Sequence, residues 1–218
     1  MVKSDFLCKV SLIFALMTLV IFQANPGLAK VYTIPVHADA FVDSQNPDTN
    51  YAGAPDLYVK YYPDFNGSPL TQRAYLKFDL SGIPAGHIIT AAKLYLFVVG
   101  NDGHPPPNAN LYHAGDGWGW ASITWNTQPP TGNYLGTKGF MFWGEYYAWD
   151  LFESGLWKPA DDLADKRLSL LLKLAAEGEL ADFAGYTFSS NESPESRPYL
   201  EVTAVPPASA PVNSLLLN

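Results

Sequence analysis

Hydrophobic and polar side chains alternate without interruption over residues 73–80. The apolar face of this stretch consists of Ala74, Leu76, Phe78 and Leu80. The opposite face consists of Arg73, Tyr75, Lys77 and Asp79. A period of two predicts a β-strand with one face on a core and the other toward solvent or a partner. Residues 92–99 repeat the pattern after a short connection with Gly82 and Pro84. The two strands are therefore predicted to be neighbours at the centre of an antiparallel sheet.

Other short runs rich in aromatic and β-branched residues predict further strands, separated by turn residues. These runs cover residues 31–36, 57–62, 111–114, 146–151, 167–174, 186–189 and 199–204. Residues 152–165 are expected to hold one or two short helical turns. Residues 44–53 and 100–108 are expected to be loops. The pattern predicts an all-β fold, a single antiparallel β-sandwich of jelly-roll type.

The N-terminal segment has the organisation of a secretory signal peptide. Lys3 and Lys9 precede an apolar run over residues 10–22, and Gly27 and Ala29 provide the small side chains of a cleavage site. We expect cleavage after residue 29 and a secreted, extracellular or cell-surface protein. A retained membrane anchor is the alternative interpretation. No later stretch approaches the roughly 20 apolar residues of a membrane span.

The expected domain organisation is a signal peptide at 1–29, a β-sandwich at 30–205 and a flexible tail rich in Pro, Ala and Ser at 206–218. Cys8 is the only cysteine of the chain. A mature chain without thiols has neither a disulfide framework nor a thiolate metal site. Its core must hold it together, and about 190 residues suffice for that.

Acidic side chains outnumber basic ones. The full chain has a formal net charge of −8 at pH 7. Such a surface repels phosphate backbones and disfavours nucleic acid as a partner.

Several segments stand in an order that resembles the DNRLRE domain family. The matching pieces are residues 38–42, 73–84, 91–96, 123–126, 188–192 and 197–202, together with Pro47, Asn50, Tyr51, Gly53, Trp118 and Pro129. The resemblance implies an extracellular β-sandwich grouped with carbohydrate-binding modules. The chain departs from the family pattern at Trp120, where an acidic residue is usual.

Oxygen-bearing side chains are concentrated in and before the loop at 44–53. Asp39, Asp43, Asp48 and Asn50 are the candidate ligands of a structural calcium ion, which takes six to eight oxygen ligands in irregular geometry. The alternative is that these residues form turns, because Asp and Asn bond their own backbone.

Exposed aromatic side chains are the candidates for stacking on sugar rings. We assign this role to Trp120, Trp143, Tyr61 and Tyr62, which lie between Gly, Asn and Pro residues, whereas Trp118 and Trp125 are expected in the core. Arg73 could bind a sugar carboxylate through two parallel hydrogen bonds. The alternative for Arg73 is an ion pair with a neighbouring strand, for example with Asp79 or Glu201.

No enzyme motif stands out. The histidines have no metal-binding spacing, and no nucleophile elbow or phosphate-binding loop is present. The sequence favours a secreted non-catalytic module that binds polysaccharide or contributes to an extracellular matrix. The alternatives are a structural surface protein that acts through protein contacts or self-association, and a small polysaccharide-cleaving enzyme.

Overall fold

The computed structural model describes residues 27–103, 107–139 and 141–208. The expected signal peptide up to residue 26 and the expected tail from residue 209 lie outside the described residues. Within those ranges the chain forms ten strands and one helix. Their bounds are β1 Lys30–Asp43, β2 Asp56–Phe65, β3 Ser68–Asp79, β4 Ile88–Asp102, β5 Ala109–Ala114, β6 Thr131–Lys138, β7 Tyr146–Asp150, α1 Pro159–Asp165, β8 Arg167–Leu174, β9 Ala184–Ser189 and β10 Tyr199–Val205.

The strands form a two-layered antiparallel β-sandwich, as the sequence predicts. One layer, called the β4 layer, contains the first half of β1, then β10, β4 and β7. The other, called the β3 layer, contains the second half of β1 with β2, β3, β5, β6, β8 and β9. The helix predicted within residues 152–165 and the strand predicted at 167–174 are confirmed as α1 and β8.

Two strands pass from one layer to the other. The first six residues of β1 pair with β10, and the rest of the strand pairs with β3. Strand β4 pairs with β10 along its first half and with β9 from Val98 onward. Both changes coincide with register irregularities, at Val36/Ala38 and at Val98/Gly100. Such irregularities bend a strand and allow it to turn the corner of a sandwich.

The main core lies between the layers and follows the alternation of the strands. Leu76 and Phe78 of β3 meet Leu94 and Leu96 of β4 in it, and all four side chains are fully buried. The core also contains Trp149 of β7, whose indole N–H donates to the carbonyl of Ala109 at 3.2 Å. The apolar face predicted for residues 74–80 is thus confirmed.

A second core covers the outer face of the β3 layer. The segment 115–130 folds over that face and buries a cluster formed by Ala38, Ala40, Val42, Ala52, Tyr75, Ala114, Trp118, Ile123 and Leu171. Tyr75 has no exposed surface, and its ring meets that of Trp118 edge to face at 6.1 Å. The face of β3 opposite the main core was expected to meet solvent or a partner. That expectation is wrong for Tyr75, because an apolar loop covers it.

Three further strand predictions need correction. Strands β3 and β4 are not neighbours, since β3 pairs with β1, β2 and β8 while β4 pairs with β7, β9 and β10. Alternation fixes which face of a strand is buried but not its partner. Strand β6 was not predicted, because Gly132 and Gly136 interrupt its pattern. Strand β4 also continues through residues 100–102, which were expected to belong to a loop.

Candidate functional site

An open cleft of about 540 Å³ lies at one end of the β3 layer. It is bounded by the end of β3, the middle of β1, the loop at 116–120 and the junction between α1 and β8. Its lining combines one large exposed aromatic ring with charged side chains of both signs. The lining includes His37, Lys77, Asp79, Asp116, Trp120, Asp165 and Arg167.

Trp120 is the exposed aromatic side chain of this cleft. About half of it, 49 %, is accessible to solvent. Its indole N–H donates to the backbone carbonyl of Ala52 at 3.1 Å, which fixes the orientation of the ring. The only hydrogen-bond donor of the side chain is thereby used within the protein. Trp120 can therefore contact a ligand through its ring surface and not through its N–H group.

Asn50 holds the loop that carries Trp120. Its side-chain amide donates to the carbonyl of Trp120 at 3.0 Å and to that of Ile123 at 2.8 Å. Its side-chain oxygen accepts from the amide of Ala52 at 3.2 Å. Nearby, the Asp48 carboxylate accepts from the side chain of Asn126 at 2.8 Å. Asn50 and Asp48, two of the expected calcium ligands, thus fasten the loop at 119–127 to the loop at 44–53.

The other two expected calcium ligands lie elsewhere. The buried Asp39 carboxylate accepts from the backbone amide of Asn191 at 2.7 Å. The buried Asp43 carboxylate accepts from the amide of Gln45 at 2.7 Å and from the side chain of Gln72 at 3.0 Å. Within the described ranges, no three His, Cys, Asp or Glu side chains converge in a way that could hold a metal ion. The structure thus does not bring the four expected ligands together.

Two charged side chains of the cleft, Lys77 and Asp116, form hydrogen bonds with other groups of the protein. Lys77 donates to the carbonyls of Asp116 and Trp118, and its ammonium lies 4.5 Å from the centre of the Trp118 ring. Burial, followed by the positive charge of Arg167, lowers the pKa of Lys77 below its usual value. Asp116 accepts from the hydroxyl of Ser169. Lys77 is therefore a structural support of the loop.

The rim of the cleft carries accessible polar and charged side chains. His37, Asp79, Asp165 and Arg167 are all exposed. The hydrogen bonds that Ser81 donates to Asp79 are the main cause of its lowered pKa, so its carboxylate stays ionised at neutral pH. Donors and acceptors thus stand around the ring of Trp120. A ligand rich in hydroxyl groups could bond to both kinds of group.

Arg73 is not available as the ligand-binding cation that the sequence suggested. Its guanidinium forms hydrogen bonds and an ion pair with Glu177, donates to Gln128 at 2.9 Å and stacks on Trp125 at 4.6 Å. Burial alone would lower the pKa of Arg73, but the hydrogen bond and charge of Glu177 raise it above its usual value. The alternative of an ion pair is correct in kind, but the partner is Glu177 and not Asp79 or Glu201.

The remaining aromatic candidates, Tyr61, Tyr62 and Trp143, lie in three different parts of the molecule. Tyr61 is buried in the main core, because it shares the inward face of β2 with Leu57 and Val59, so its expected surface position is wrong. Tyr62 points the other way and lines a groove of about 330 Å³ with Phe65 and Phe183. Trp143 lies in the turn before β7 and is 73 % exposed. The cleft therefore contains Trp120 but neither tyrosine nor Trp143.

The charged members of the cleft were not predicted as site residues from the sequence. Asp79 and Arg167 stand at the end of β3 and the start of β8, and they are register partners across the two strands. The sequence contained one signal for them, which was the presence of opposite charges at the ends of two predicted strands. It could not be used because the pairing of β3 with β8 was not apparent from the sequence.

The chain matches a known protein family over most of its described length. The family model of carbohydrate-binding module family 96 matches residues 30–204. This range spans all ten strands but for the last residue of β10. No curated protein matches the chain. The match supports the expected likeness to carbohydrate-binding modules, while the DNRLRE name itself stays a prediction.

Proposed function

This chain belongs to carbohydrate-binding module family 96, and we propose that it is an extracellular, non-catalytic module that binds polysaccharide in the cleft beside Trp120. The observation that carries the proposal is the half-exposed Trp120 ring, held by two internal hydrogen bonds among charged side chains of both signs. A largely preformed site with one aromatic surface and a few polar groups is typical of small-ligand recognition.

The chemistry of the cleft matches that of a sugar. A pyranose ring has an apolar C–H surface, which packs on an aromatic ring and removes apolar area from water. Its hydroxyl groups can donate to Asp79 or Asp165 and accept from Arg167 or His37. Hydrogen bonds that involve a charged partner are stronger than neutral ones. Because the internal bonds of Trp120 hold the ring before a ligand arrives, little ordering is needed on binding.

Affinity electrophoresis against a panel of neutral and acidic polysaccharides tests this proposal. We expect the wild-type protein to be retarded by at least one polysaccharide and Trp120→Ala to be retarded clearly less by the same polysaccharide. Phe183→Ala is the matched control, because Phe183 is an exposed aromatic residue outside the cleft. Retardation that is unchanged in Trp120→Ala would rule out the cleft as the site.

The non-catalytic part of the proposal has a separate test. The polysaccharide that retards the protein is incubated with it, and reducing ends and unsaturated-uronate absorbance are followed over time. We expect neither signal to rise above that of a heat-denatured sample. A rise that scales with protein concentration would make the chain an enzyme.

A further inference from the structure

The outer face of the β4 layer carries a cluster of four aromatic rings. Tyr95 and Tyr199 are stacked at 4.7 Å, Tyr199 meets Tyr146 at 5.6 Å, and Tyr146 meets Phe97 at 5.2 Å. Tyr146 is exposed and the other three rings are half-buried. In contrast to Tyr75 of the β3 layer, all four rings keep solvent-accessible surface, and the hydroxyl of Tyr146 donates to the carbonyl of Arg197 at 3.2 Å. We call this set the open-face cluster.

A rigid turn adds two protruding aromatic residues beside the open-face cluster. Phe142 and Trp143 are 66 % and 73 % exposed. Hydrogen bonds hold the turn on both sides. The backbone amide of Phe142 donates to the hydroxyl oxygen of Tyr147 at 3.0 Å, and the backbone amide of Gly144 donates to the carbonyl of Val98 at 2.8 Å. Gly144 has a φ of 90°, a conformation that favours glycine. The turn is therefore built to expose these two side chains.

Polar groups accompany the aromatic rings on this face. Lys93 and Glu201 are register partners at the end of the open-face cluster. Burial and then the charge of Glu201 raise the pKa of Tyr95, and burial followed by the charges of Tyr95 and Glu201 raises the pKa of Tyr199. Both phenols stay protonated at neutral pH and can donate hydrogen bonds. Aromatic surface next to hydroxyl, ammonium and carboxylate groups is again what a sugar chain requires.

We propose that the open-face cluster, with Phe142 and Trp143, is a second polysaccharide-binding surface, and that the module bridges two polysaccharide chains. This inference rests on the proposed function, since it assumes that the chain binds polysaccharide. The Trp120 cleft lies on the β3 layer and the open-face cluster on the outer face of the β4 layer. The two sites face away from each other across the sandwich, so that two chains can be held at the same time.

The charge of the protein favours polysaccharide over a second copy as the occupant of this face. The net charge is −8, so two copies repel each other at low salt. Lys93 and Glu201 also stand at the face, and burying them in a protein contact would have a desolvation cost. An open sugar chain leaves such groups in contact with water.

A capture experiment tests the bridging. Beads carrying the polysaccharide identified by electrophoresis are loaded with protein, washed, and given a fluorescent soluble form of the same polysaccharide. We expect wild-type protein to capture the soluble chain. The variant Trp143→Ala with Tyr199→Ala should bind the beads through the cleft but capture about tenfold less of the soluble chain, a loss of about 1.4 kcal/mol.

The controls separate this inference from the proposed function. Phe183→Ala should capture as much as wild type, and circular dichroism should give the same spectrum for all variants. Wild-type protein that does not bind the beads would overturn the proposed function. Protein that binds the beads yet captures no soluble chain, or a Trp143→Ala/Tyr199→Ala variant that captures as much as wild type, would overturn the second surface alone. Capture that depends on a dimer, dissociated by the same substitutions, would overturn it as well.

Discussion

The two outer faces of the sandwich are built from the same alternation but end in different environments. On the β3 layer the outward side chains, such as Tyr75, are covered by the segment 115–130 and form a second core. On the β4 layer the outward side chains Tyr95 and Tyr199 contact each other and solvent. A period of two therefore identifies the two faces of a strand, while distant loops determine whether the outer face is buried.

The difference also separates two ways of presenting aromatic rings. On the covered face, Trp118 is buried, while Trp120 stays half-exposed at the edge of a cleft with charged walls. On the open face, several rings share a broad surface with few charges. The covered face is suited to recognise a short part of a sugar chain through hydrogen bonds. The open face is suited to contact a chain over a larger area.

The largest expected effect on stability comes from removing the ring of Trp118, which anchors the segment 115–130 on the β3 layer. Trp118 is 6 % exposed, packs on Tyr75 and donates to Ser169. Trp118→Ala should lower the free energy of unfolding by about 3–5 kcal/mol, as for other large buried aromatic residues. Urea unfolding followed by circular dichroism gives the value. A loss below about 1 kcal/mol would mean that the segment 115–130 does not form a core.

The buried carboxyl group of Asp39, in the part of β1 that follows its passage between the layers, should make the free energy of unfolding depend on pH. Burial is the main cause that raises the pKa of Asp39 from 3.8 to about 7. Because the folded state binds this proton more tightly than the unfolded state, the stabilisation is complete below about pH 4 and is lost as the pH rises to about 7. The loss amounts to at most about 4 kcal/mol, at about 1.4 kcal/mol per unit.

Asp39→Asn separates this effect from other titrations. Asparagine has a similar shape and can still accept the hydrogen bond from the amide of Asn191. We expect chemical denaturation between pH 4 and pH 8 to give a flatter stability profile for the variant than for wild type. Parallel profiles of the two proteins would contradict the raised pKa.

Loss of the ion pair between Arg73 and Glu177 should lower the free energy of unfolding by a smaller amount. Glu177→Gln keeps the shape of the side chain but removes the charge that faces Arg73, whose side chain is 20 % exposed. We expect a loss of about 1–3 kcal/mol, the range for hydrogen bonds to charged groups. Thermal unfolding at low and high salt provides the measurement. A pair that acts only through long-range charge would instead lose its effect at high salt.

The open face should tolerate substitution best. Tyr199→Ala removes a half-buried ring and its stacking on Tyr95, so we expect a loss of about 1 kcal/mol or less. The same urea titration used for Trp118→Ala gives a direct comparison. Equal losses for the two variants would remove the distinction between a covered and an open face.

The sequence was most informative where side chains follow one strand. The apolar face of residues 74–80, the strand at 167–174 and the short helix were predicted because each depends on local pattern. The burial of Tyr75 was not, since it depends on a loop that contributes residues about 40 positions later in the chain. Tyr61 and Tyr62 show the same limit, because alternation separates the two rings but does not say which one is buried.

The candidate site was predictable only in part. Trp120 stood out because it is a tryptophan between glycine and small residues, and the structure places it at the cleft. Asp48 and Asn50 stood out for their oxygen atoms, and in the structure their side chains connect the Trp120 loop to the loop at 44–53 through hydrogen bonds. The sequence shows the same Asp or Asn whether its side chain binds a cation or a backbone group. Only the position of its partners separates the two.

Hydroxyl-radical footprinting of Trp120 tests the central claim most directly. The protein is oxidised with and without the polysaccharide that retards it, and mass spectrometry measures the oxidation of each tryptophan. We predict that the ligand protects Trp120, while the buried Trp149 reacts slowly in both samples. Oxidation of Trp120 at the same rate in the bound and free protein would contradict the account.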